Sequence, residues 1–419
     1  MQGAPGAEKA SFLRAEAELI LQEERKVKAK KIKDLGSPIK LAGIALSIQV
    51  RGNYAWVAEN TAVARKIDLE TGKTVQIFRG HTAPVTSLAF IDKVAGSGDG
   101  NILITGSWDK NINVWDVVEK RLISSTPAHS DFVKVLLTIP SLNLLISGSS
   151  DKIVRFWDLS SYNNGQPLPS MGSISSHTRP VESLDARVIS PTEAVLYTAD
   201  TMGVMKAWNL AKEEASGSSP ARWKVTLDEE FKHHRTGINE IVHGNGQLWT
   251  ASSDETVQVV AHPTPETTSG SSTSTKPIPP ITHPKAVKAI LPLSVSPLSE
   301  PYLLTGSGDV IRAYDISSPH EPELIGEVDA HWHDITALRL WMRQKKDDKG
   351  RTLVEPWVVS TSLDGTIRKW KLSELLSPPP PEAVKTEPVI EAPVEEKKKG
   401  EAYMTEEEER ELAELMGDD

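Results

Sequence analysis

A histidine-led motif recurs six times along this chain, and the repetition constrains the fold more than any other feature. Each copy has His, three variable residues, Val or Ile, two further residues, and then Leu or Ile. A chain of 419 residues would otherwise suggest two or three domains, but repeats predict one array of similar units. The copies begin at His81, His129, His177, His234, His283 and His331.

Each motif is followed by two short runs in which Ile or Val alternates with polar residues. The clearest are TGSWDKNINVWD (105–116), SGSSDKIVRFWD (147–158) and STSLDGTIRKW (360–370). Alternation with a period of two predicts β-strands. Asp-Lys or Asp-Gly between the two runs predicts a tight hairpin turn.

These units resemble WD40 repeats, which open with a dipeptide ending in His and close with Trp-Asp. An earlier, degenerate unit closes at Ile67 and Asp68, so seven units are counted. The resemblance covers about residues 33–372 and implies an all-β fold, a seven-bladed β-propeller whose four-stranded blades stack in a ring. The six later units close at Trp115, Trp157, Trp208, Val260, Tyr314 and Trp370.

The resemblance also implies a buried hydrogen-bond relay in each regular blade, made by the opening His, a strand Ser or Thr, the turn Asp and the closing Trp. Buried polar groups are tolerated when they satisfy one another in this way. The residues assigned to it are His81, Ser107, Asp109 and Trp115; His129, Ser149, Asp151 and Trp157; and His331, Ser362, Asp364 and Trp370.

Three units depart from this pattern. The Asp position holds Met202 in the fourth blade and Gly308, beside Asp309, in the sixth. The fifth blade keeps Asp254 but closes with Val260. We therefore expect the fourth, fifth and sixth blades to be less regular than the others.

The composition divides the chain into four segments: a charged N-terminal helix (1–32), the propeller (33–376), a disordered Pro/Glu-rich linker (377–400) and a short acidic amphipathic helix (401–419). Residues 33–40 are expected to supply the outer strand of the last blade and so close the ring. Residues 214–220, 263–280 and 343–351 are expected to form surface loops.

The N-terminal helix is predicted over residues 7–33, with apolar positions at Leu13, Ala17, Ile20 and Val27. It could pack on the propeller, bind a partner, or use its basic run for nuclear import or RNA contact. The basic residues are Arg25, Lys26, Lys28, Lys30, Lys31 and Lys33.

The C-terminal helix is predicted from a capping box at Thr405 and Glu408. Leu412, Leu415 and Met416 then form a short apolar stripe. Either this stripe inserts into a groove of a partner, or the segment is an acidic solubilising end.

Several classes of chemistry find no support in the sequence. The chain has no cysteine, which excludes disulfides and thiolate metal sites. The histidines belong mostly to the repeat frame, no acidic cluster accompanies the others at ligand spacing, and neither a P-loop nor a G-x-S-x-G pattern is present. We predict no catalytic residue, metal, cofactor or small-molecule substrate.

Location and charge give weaker constraints. No apolar run reaches the length of a membrane span or a secretory signal, so we expect no membrane association and a cytoplasmic or nuclear location. From Ser377 onward there are 14 acidic and 5 basic residues, so most of the net charge of −10 lies there and the propeller is nearly neutral.

The sequence therefore predicts a non-catalytic protein-interaction scaffold, a subunit or assembly factor of a multiprotein complex. Exposed aromatic and arginine side chains near the repeated histidines are typical of binding hot spots. An alternative is a ribonucleoprotein-associated factor that contacts RNA through the basic run, and a weaker one is a ubiquitin-ligase substrate receptor. The predicted partner-binding residues are Trp108, Phe132, Arg179, Arg235, Lys285 and Trp332.

Overall fold

The strands of this chain form seven four-stranded antiparallel sheets, which are the blades of a propeller. The computed structural model describes residues 16–94, 96–214, 221–262, 278–346 and 350–378. The first strand of each blade contacts the first strands of both neighbouring blades, and the last blade contacts the first, so the ring is closed. The prediction of an all-β, seven-bladed propeller is confirmed.

Two elements precede the first blade, α1 (Glu16–Lys31) and β1 (Ile39–Lys40). Each following blade is given from its inner to its outer strand. Blade 1 has β2 (Ala45–Arg51), β3 (Tyr54–Glu59), β4 (Val63–Asp68) and β5 (Thr74–Arg79). Blade 2 has β6 (Val85–Ile91), β7 (Ile102–Ser107), β8 (Asn111–Asp116) and β9 (Arg121–Pro127). Blade 3 has β10 (Val133–Ile139), β11 (Leu144–Ser149), β12 (Val154–Asp158) and β13 (Ser170–Ile174).

The second half of the ring is built in the same way. Blade 4 has β14 (Val181–Ser190), β15 (Glu193–Asp200), β16 (Met205–Glu213) and β17 (Arg222–Phe231). Blade 5 has β18 (Ile238–Gly244), β19 (Gln247–Ser252), β20 (Thr256–Ala261) and β21 (Ile281–Thr282). Blade 6 has β22 (Val287–Pro292), β23 (Tyr302–Ser307), β24 (Val310–Asp315) and β25 (Glu323–Asp329). Blade 7 has β26 (Ile335–Lys346), β27 (Thr352–Ser362), β28 (Thr366–Lys371) and, as its outer strand, β1.

Blade 7 joins the two ends of the propeller. Its β28 pairs with β1 through Ile39 opposite Ile367 and Lys40 opposite Thr366. The main-chain N–H of Lys369 also donates to the carbonyl of Gly36 at 2.7 Å. The outer strand thus comes from the N-terminal side, as the sequence predicts, although it is only two residues long.

Apolar side chains fill the spaces between successive blades, because each sheet buries both faces against its neighbours. In blades 1 and 5 the closing tryptophan is replaced by Ile67 and Val260. Each of these blades carries a buried tryptophan on its second strand instead, Trp56 opposite Lys66 and Trp249 opposite Val259. The large side chain that is missing from the third strand is thus supplied by the second strand, opposite the residue just before the closing position.

One short helix follows the last blade, and several of the predicted segments lie outside the described residues. A short helix, α2 (Leu372–Leu376), packs its Leu375 against blade 6. Leu412, Leu415 and Met416 lie outside the described residues, as do nearly all of the linker and most of the loop at 263–280. Among the helices in the described ranges, none has the length and apolarity needed to cross a membrane.

Candidate protein-binding face

The relay of blade 2 shows how one buried hydroxyl connects a histidine to a tryptophan. Nδ1 of His81 lies 2.8 Å from the carboxylate of Asp109, and Nε2 lies 2.7 Å from Oγ1 of Thr105. Nε1–H of Trp115 donates to the same hydroxyl at 2.9 Å. Because an ionised carboxylate only accepts, the proton of a neutral His81 lies on Nδ1, and Thr105 donates to Nε2.

The relay holds the loop before the first strand against the turn between the second and third strands. The carboxylate of Asp109 accepts the main-chain N–H of Thr82 at 3.0 Å and that of Asn111 at 3.0 Å. The main-chain N–H of Trp108 donates to the carbonyl of Pro84 at 3.0 Å. The position of Trp108 at the end of the ring that carries the histidines, here called the histidine end, is therefore set by hydrogen bonds.

The hydroxyl assigned from the sequence is wrong in all three blades. The linking groups are Thr105, Ser147 and Ser360, two residues earlier than predicted. Side chains two apart in a strand lie on the same face, so both hydroxyls point toward the relay, but only the deeper one reaches the indole. The later serines instead donate to main-chain carbonyls, as Ser107 does to Ala83 at 3.0 Å. The residues corrected are Ser107, Ser149 and Ser362.

Blade 4 has a full relay, contrary to expectation. Its carboxylate is Asp200, two residues before the position predicted from Met202, and lies 3.0 Å from Nδ1 of His177. Trp208 and His177 share the hydroxyl of Thr198 at 2.9 and 2.7 Å. Asp200 occupies the strand position that holds Ser107 in blade 2, and it still accepts the turn N–H of Met202 at 2.9 Å.

Blades 5 and 6 do lack relay members. In blade 5, His234 bonds Asp254 at 3.1 Å and Thr250 at 2.8 Å, but Val260 offers no donor. In blade 6, His283 bonds Thr305 at 3.0 Å and donates through Nδ1 to a main-chain carbonyl. The sixth-blade carboxylate, Asp309, is therefore available to bind other groups.

The relay histidines are buried between the blades. Burial opposes the charge of Asp109, but the hydrogen bond from His81 and main-chain donors outweigh it and lower the pKa of this carboxyl. Burial also lowers the pKa of His129 and of His331 in spite of their neighbouring carboxylates. Near neutral pH the pairs of His129 with Asp151 and of His331 with Asp364 are thus neutral imidazoles bonded to carboxylates, with a structural role.

Two of the predicted partner-binding residues come together on the surface. Trp108 follows β7, and Phe132 precedes β10 in the next blade. Their rings are stacked, with centroids 5.1 Å apart and planes 21° from parallel. They remain 37% and 38% exposed, so the stack presents a flat apolar surface at the histidine end.

The other four predicted residues lie at the same end but do not join this stack. Arg179 and Arg235 are exposed. Lys285 donates to Asp309 at 2.9 Å, and Trp332 is half-buried. Met202, which the sequence indicated only as a departure from the Asp position, is 52% exposed in the turn of blade 4 at this end. Its apolar side chain at a turn position was the signal that could have added it to the predicted binding residues.

Helix α1 contacts blade 6 through its basic residues. Nζ of Lys28 donates to Asp309 at 2.6 Å and to Asp329 at 2.7 Å. The predicted apolar positions Ile20 and Val27 are instead 55% and 60% exposed, so the expected contact stripe is wrong for these two. Leu13 lies outside the described residues, and nothing is described of the side chain of Ala17.

The rest of the basic run is only partly engaged. Lys26 forms an ion pair with Glu23 at 3.1 Å, and Lys31 lies 3.9 Å from Asp329. Lys30 and Lys33 are exposed. The charge offered to an outside anion is therefore smaller than the sequence suggests.

The central channel, about 450 Å³ in volume, is lined by charges that tie blades together. Lys134 pairs with Glu182 at 3.0 Å, and Arg339 with Glu240 at 2.8 Å. Asp185 accepts the main-chain N–H of His243 in the next blade at 2.6 Å, and burial raises its pKa to about 6. In the described ranges no group of three or more acidic or histidine side chains is arranged to hold a metal ion.

Comparison with known proteins agrees with this architecture. The family model for the WD domain, G-beta repeat, matches residues 72–116 and 120–158. An uncharacterized WD repeat-containing protein of Schizosaccharomyces pombe is 26% identical over 374 residues, which is 86% of this chain and 88% of that protein.

Two further matches are more limited. The COMPASS component SWD3 of Saccharomyces cerevisiae is 45% identical over 56 residues, 13% of this chain and 16% of that protein. The crystal structure of the computationally designed protein Ika8 covers 78% of this chain and 83% of its own, with a TM-score of 0.52 at 21% identity. This last likeness concerns the fold alone.

Proposed function

Because this chain is a WD40-repeat protein folded as a seven-bladed propeller, we propose that it is a non-catalytic scaffold that docks another protein on the Trp108–Phe132 stack. Propellers of this kind are commonly interaction scaffolds and typically lack enzymatic activity. In this role the chain is a subunit or assembly factor of a multiprotein complex. The SWD3 protein, described as a component of COMPASS, is one relative for which such a role is stated.

The observation that carries the proposal is the exposure of two stacked aromatic rings on a rigid support. Aromatic residues dominate the binding energy of protein interfaces, especially where their geometry is set before binding. The Asp109 relay holds the turn of Trp108, and the N–H of Ser150 donates to the carbonyl of Phe132 at 2.9 Å. A partner would therefore find both rings already ordered.

The test compares affinity capture by the intact chain with capture by the double variant Trp108→Ala, Phe132→Ala. Leu122→Ala is a matched control, because Leu122 is 41% exposed but lies on the outer strand of blade 2. We expect the double variant to lose proteins that the intact chain and the control both retain. Equal recovery by all three chains would refute docking on the stack.

The alternative function, RNA binding, can be distinguished by the salt dependence of affinity. If the basic run at residues 25–33 binds RNA, affinity should fall steeply with salt, and Lys30→Met with Lys33→Met should reduce the salt slope. Engagement of Lys28 by Asp309 and Asp329 favours the protein-docking proposal over this alternative.

A further inference from the structure

A cleft of about 510 Å³ opens between blades 1 and 2 at the end of the ring opposite to the histidines. It lies where β2 turns into β3 and where the loop before β7 approaches. Its volume is within the range of ordinary ligand sites. The lining residues that matter are Arg51, Tyr54, Trp56, Lys66, Asp99 and Gly100.

The guanidinium of Arg51 is held between an aromatic ring and a glycine. Its central carbon lies 4.8 Å from the centre of the Phe90 ring. Any side chain at Gly100, whose φ is +53°, would overlap the guanidinium nitrogens, so the absence of a Cβ there makes room for Arg51. Within the described ranges, no carboxylate lies at ion-pair distance from this group.

Lys66 faces the same cleft from β4. Its Nζ lies 4.1 Å from the ring centre of Tyr54 and 5.0 Å from that of Trp56. Burial lowers the pKa of Lys66. Across the part of the chain that the structure describes, it too has no carboxylate partner.

The one acidic side chain in the lining, Asp99, forms no ion pair with either cation. The carboxylate of Asp99 accepts the main-chain N–H of Asn101 at 2.9 Å and that of Lys93 at 2.9 Å. Removing a cation from water without a counter-charge costs free energy, and most buried charges are paired for that reason. Two half-buried cations that share one cleft, and that form no ion pair among the described residues, are therefore suited to an anion from outside.

We propose that this cleft binds an oxyanion carried on a segment of a partner protein, held by Arg51 and Lys66. Arginine matches the planar, bidentate geometry of carboxylate and phosphate groups, and lysine adds a point charge. The exposed ring of Tyr54 offers apolar surface to the rest of the segment. The site lies at the other end of the ring from the Trp108–Phe132 stack, and it does not depend on the proposed function.

The surrounding loop favours a peptide over a nucleotide. The main-chain N–H groups of Gly98 and Gly100 donate to the carboxylate of Asp92 at 2.8 and 2.9 Å. These N–H groups are thus already used, whereas in a nucleotide-binding loop the main-chain N–H groups are free to bind phosphate oxygens. The charge that would hold an anion in this cleft therefore comes from the side chains of Arg51 and Lys66.

The test measures the binding of fluorescent hexaglutamate, and of a phosphoserine peptide otherwise made of glycine, to the full chain at low salt. Arg51→Met and Lys66→Met keep most of the aliphatic stem and remove the charge. Lys73→Met is the matched control, because Lys73 is an exposed lysine in the turn between β4 and β5 of the same blade. Unfolding midpoints of all variants establish that each is folded.

We expect Arg51→Met and Lys66→Met each to weaken binding by about tenfold or more, the usual effect of losing a charge-assisted hydrogen bond. Lys73→Met should change binding by less than about twofold. Binding of hexaglutamate identifies a carboxylate ligand, and binding of the phosphopeptide alone identifies a phosphate ligand. The inference is overturned if neither peptide binds, or if Lys73→Met weakens binding as much as the two cleft variants.

Discussion

Replacing Thr105 by valine tests the relay directly, because valine keeps the branched shape and removes only the hydroxyl. That hydroxyl is fully buried and serves both Nε2 of His81 at 2.7 Å and Nε1–H of Trp115 at 2.9 Å. Each buried polar group left without a partner costs about 1–3 kcal/mol. Two groups lose their partner, so we expect Thr105→Val to lower the free energy of unfolding by about 2–6 kcal/mol.

Ser107→Ala is the control, since Ser107 is equally buried and was the residue predicted from the sequence. Its hydroxyl bonds two main-chain groups of the turn, the carbonyl of Ala83 at 3.0 Å and the N–H of Asp109 at 3.1 Å. The two partner residues, Ala83 and Asp109, are only half-buried and can turn toward solvent, so we expect a loss of about 0.5–1.5 kcal/mol.

The assay is urea denaturation at pH 7, followed both by tryptophan fluorescence and by circular dichroism. Coincident transitions by the two probes would justify comparing free energies of unfolding. If Ser107→Ala costs as much as Thr105→Val, or more, the assignment of the linking hydroxyl to Thr105 is wrong.

Three further predictions concern other contacts. Asp200→Ala should cost about 3–5 kcal/mol in urea denaturation because it leaves buried groups unpaired, whereas Met202→Ala should stay within about 0.5 kcal/mol; similar losses would refute the relay of blade 4. Burial and the charge of Arg312 lower the pKa of His283 to about 4, so folding favours its neutral form. The stability that depends on neutral His283 is fully present above pH 6.5 and is lost as the pH falls toward 4. The intact protein should therefore lose about 2 kcal/mol more of its free energy of unfolding between pH 7 and pH 5 than His283→Gln does. An equal pH dependence in the two proteins would contradict this. Lys28→Met should speed hydrogen exchange in α1, while Lys26→Met, which alters only an exposed pair, should not; equal effects would argue against the anchoring role of Lys28.

The repeat motif predicted the blades well because it reports strand alternation and turn chemistry, which are local. It could not choose between Thr105 and Ser107, since hydroxyls two residues apart lie on the same face of a strand. Nor could it find Asp200, whose carboxylate reaches His177 from a strand position rather than from the turn. These choices depend on how deep each side chain lies between blades.

The sequence pattern also could not predict contacts between side chains that are far apart in the chain. The apolar positions Ile20 and Val27 indicated a helix packed by hydrophobic contact, but α1 is held by Lys28 on two carboxylates of blade 6. Asp309 is available for this because His283 bonds a main-chain carbonyl instead. Similarly, Arg51 and Lys66 share a cleft only because β2 and β4 belong to one blade.

The pairing of β1 with β28 has a consequence for synthesis of the protein on the ribosome. Ile39 emerges early, but its partner Ile367 emerges only when most of the chain has been made. At about 5–20 residues per second, the first segment waits for tens of seconds as an unpaired strand. During that interval both ends of the incomplete ring expose unpaired strand edges, which can aggregate. We expect a chaperone that binds the nascent chain to act in this interval.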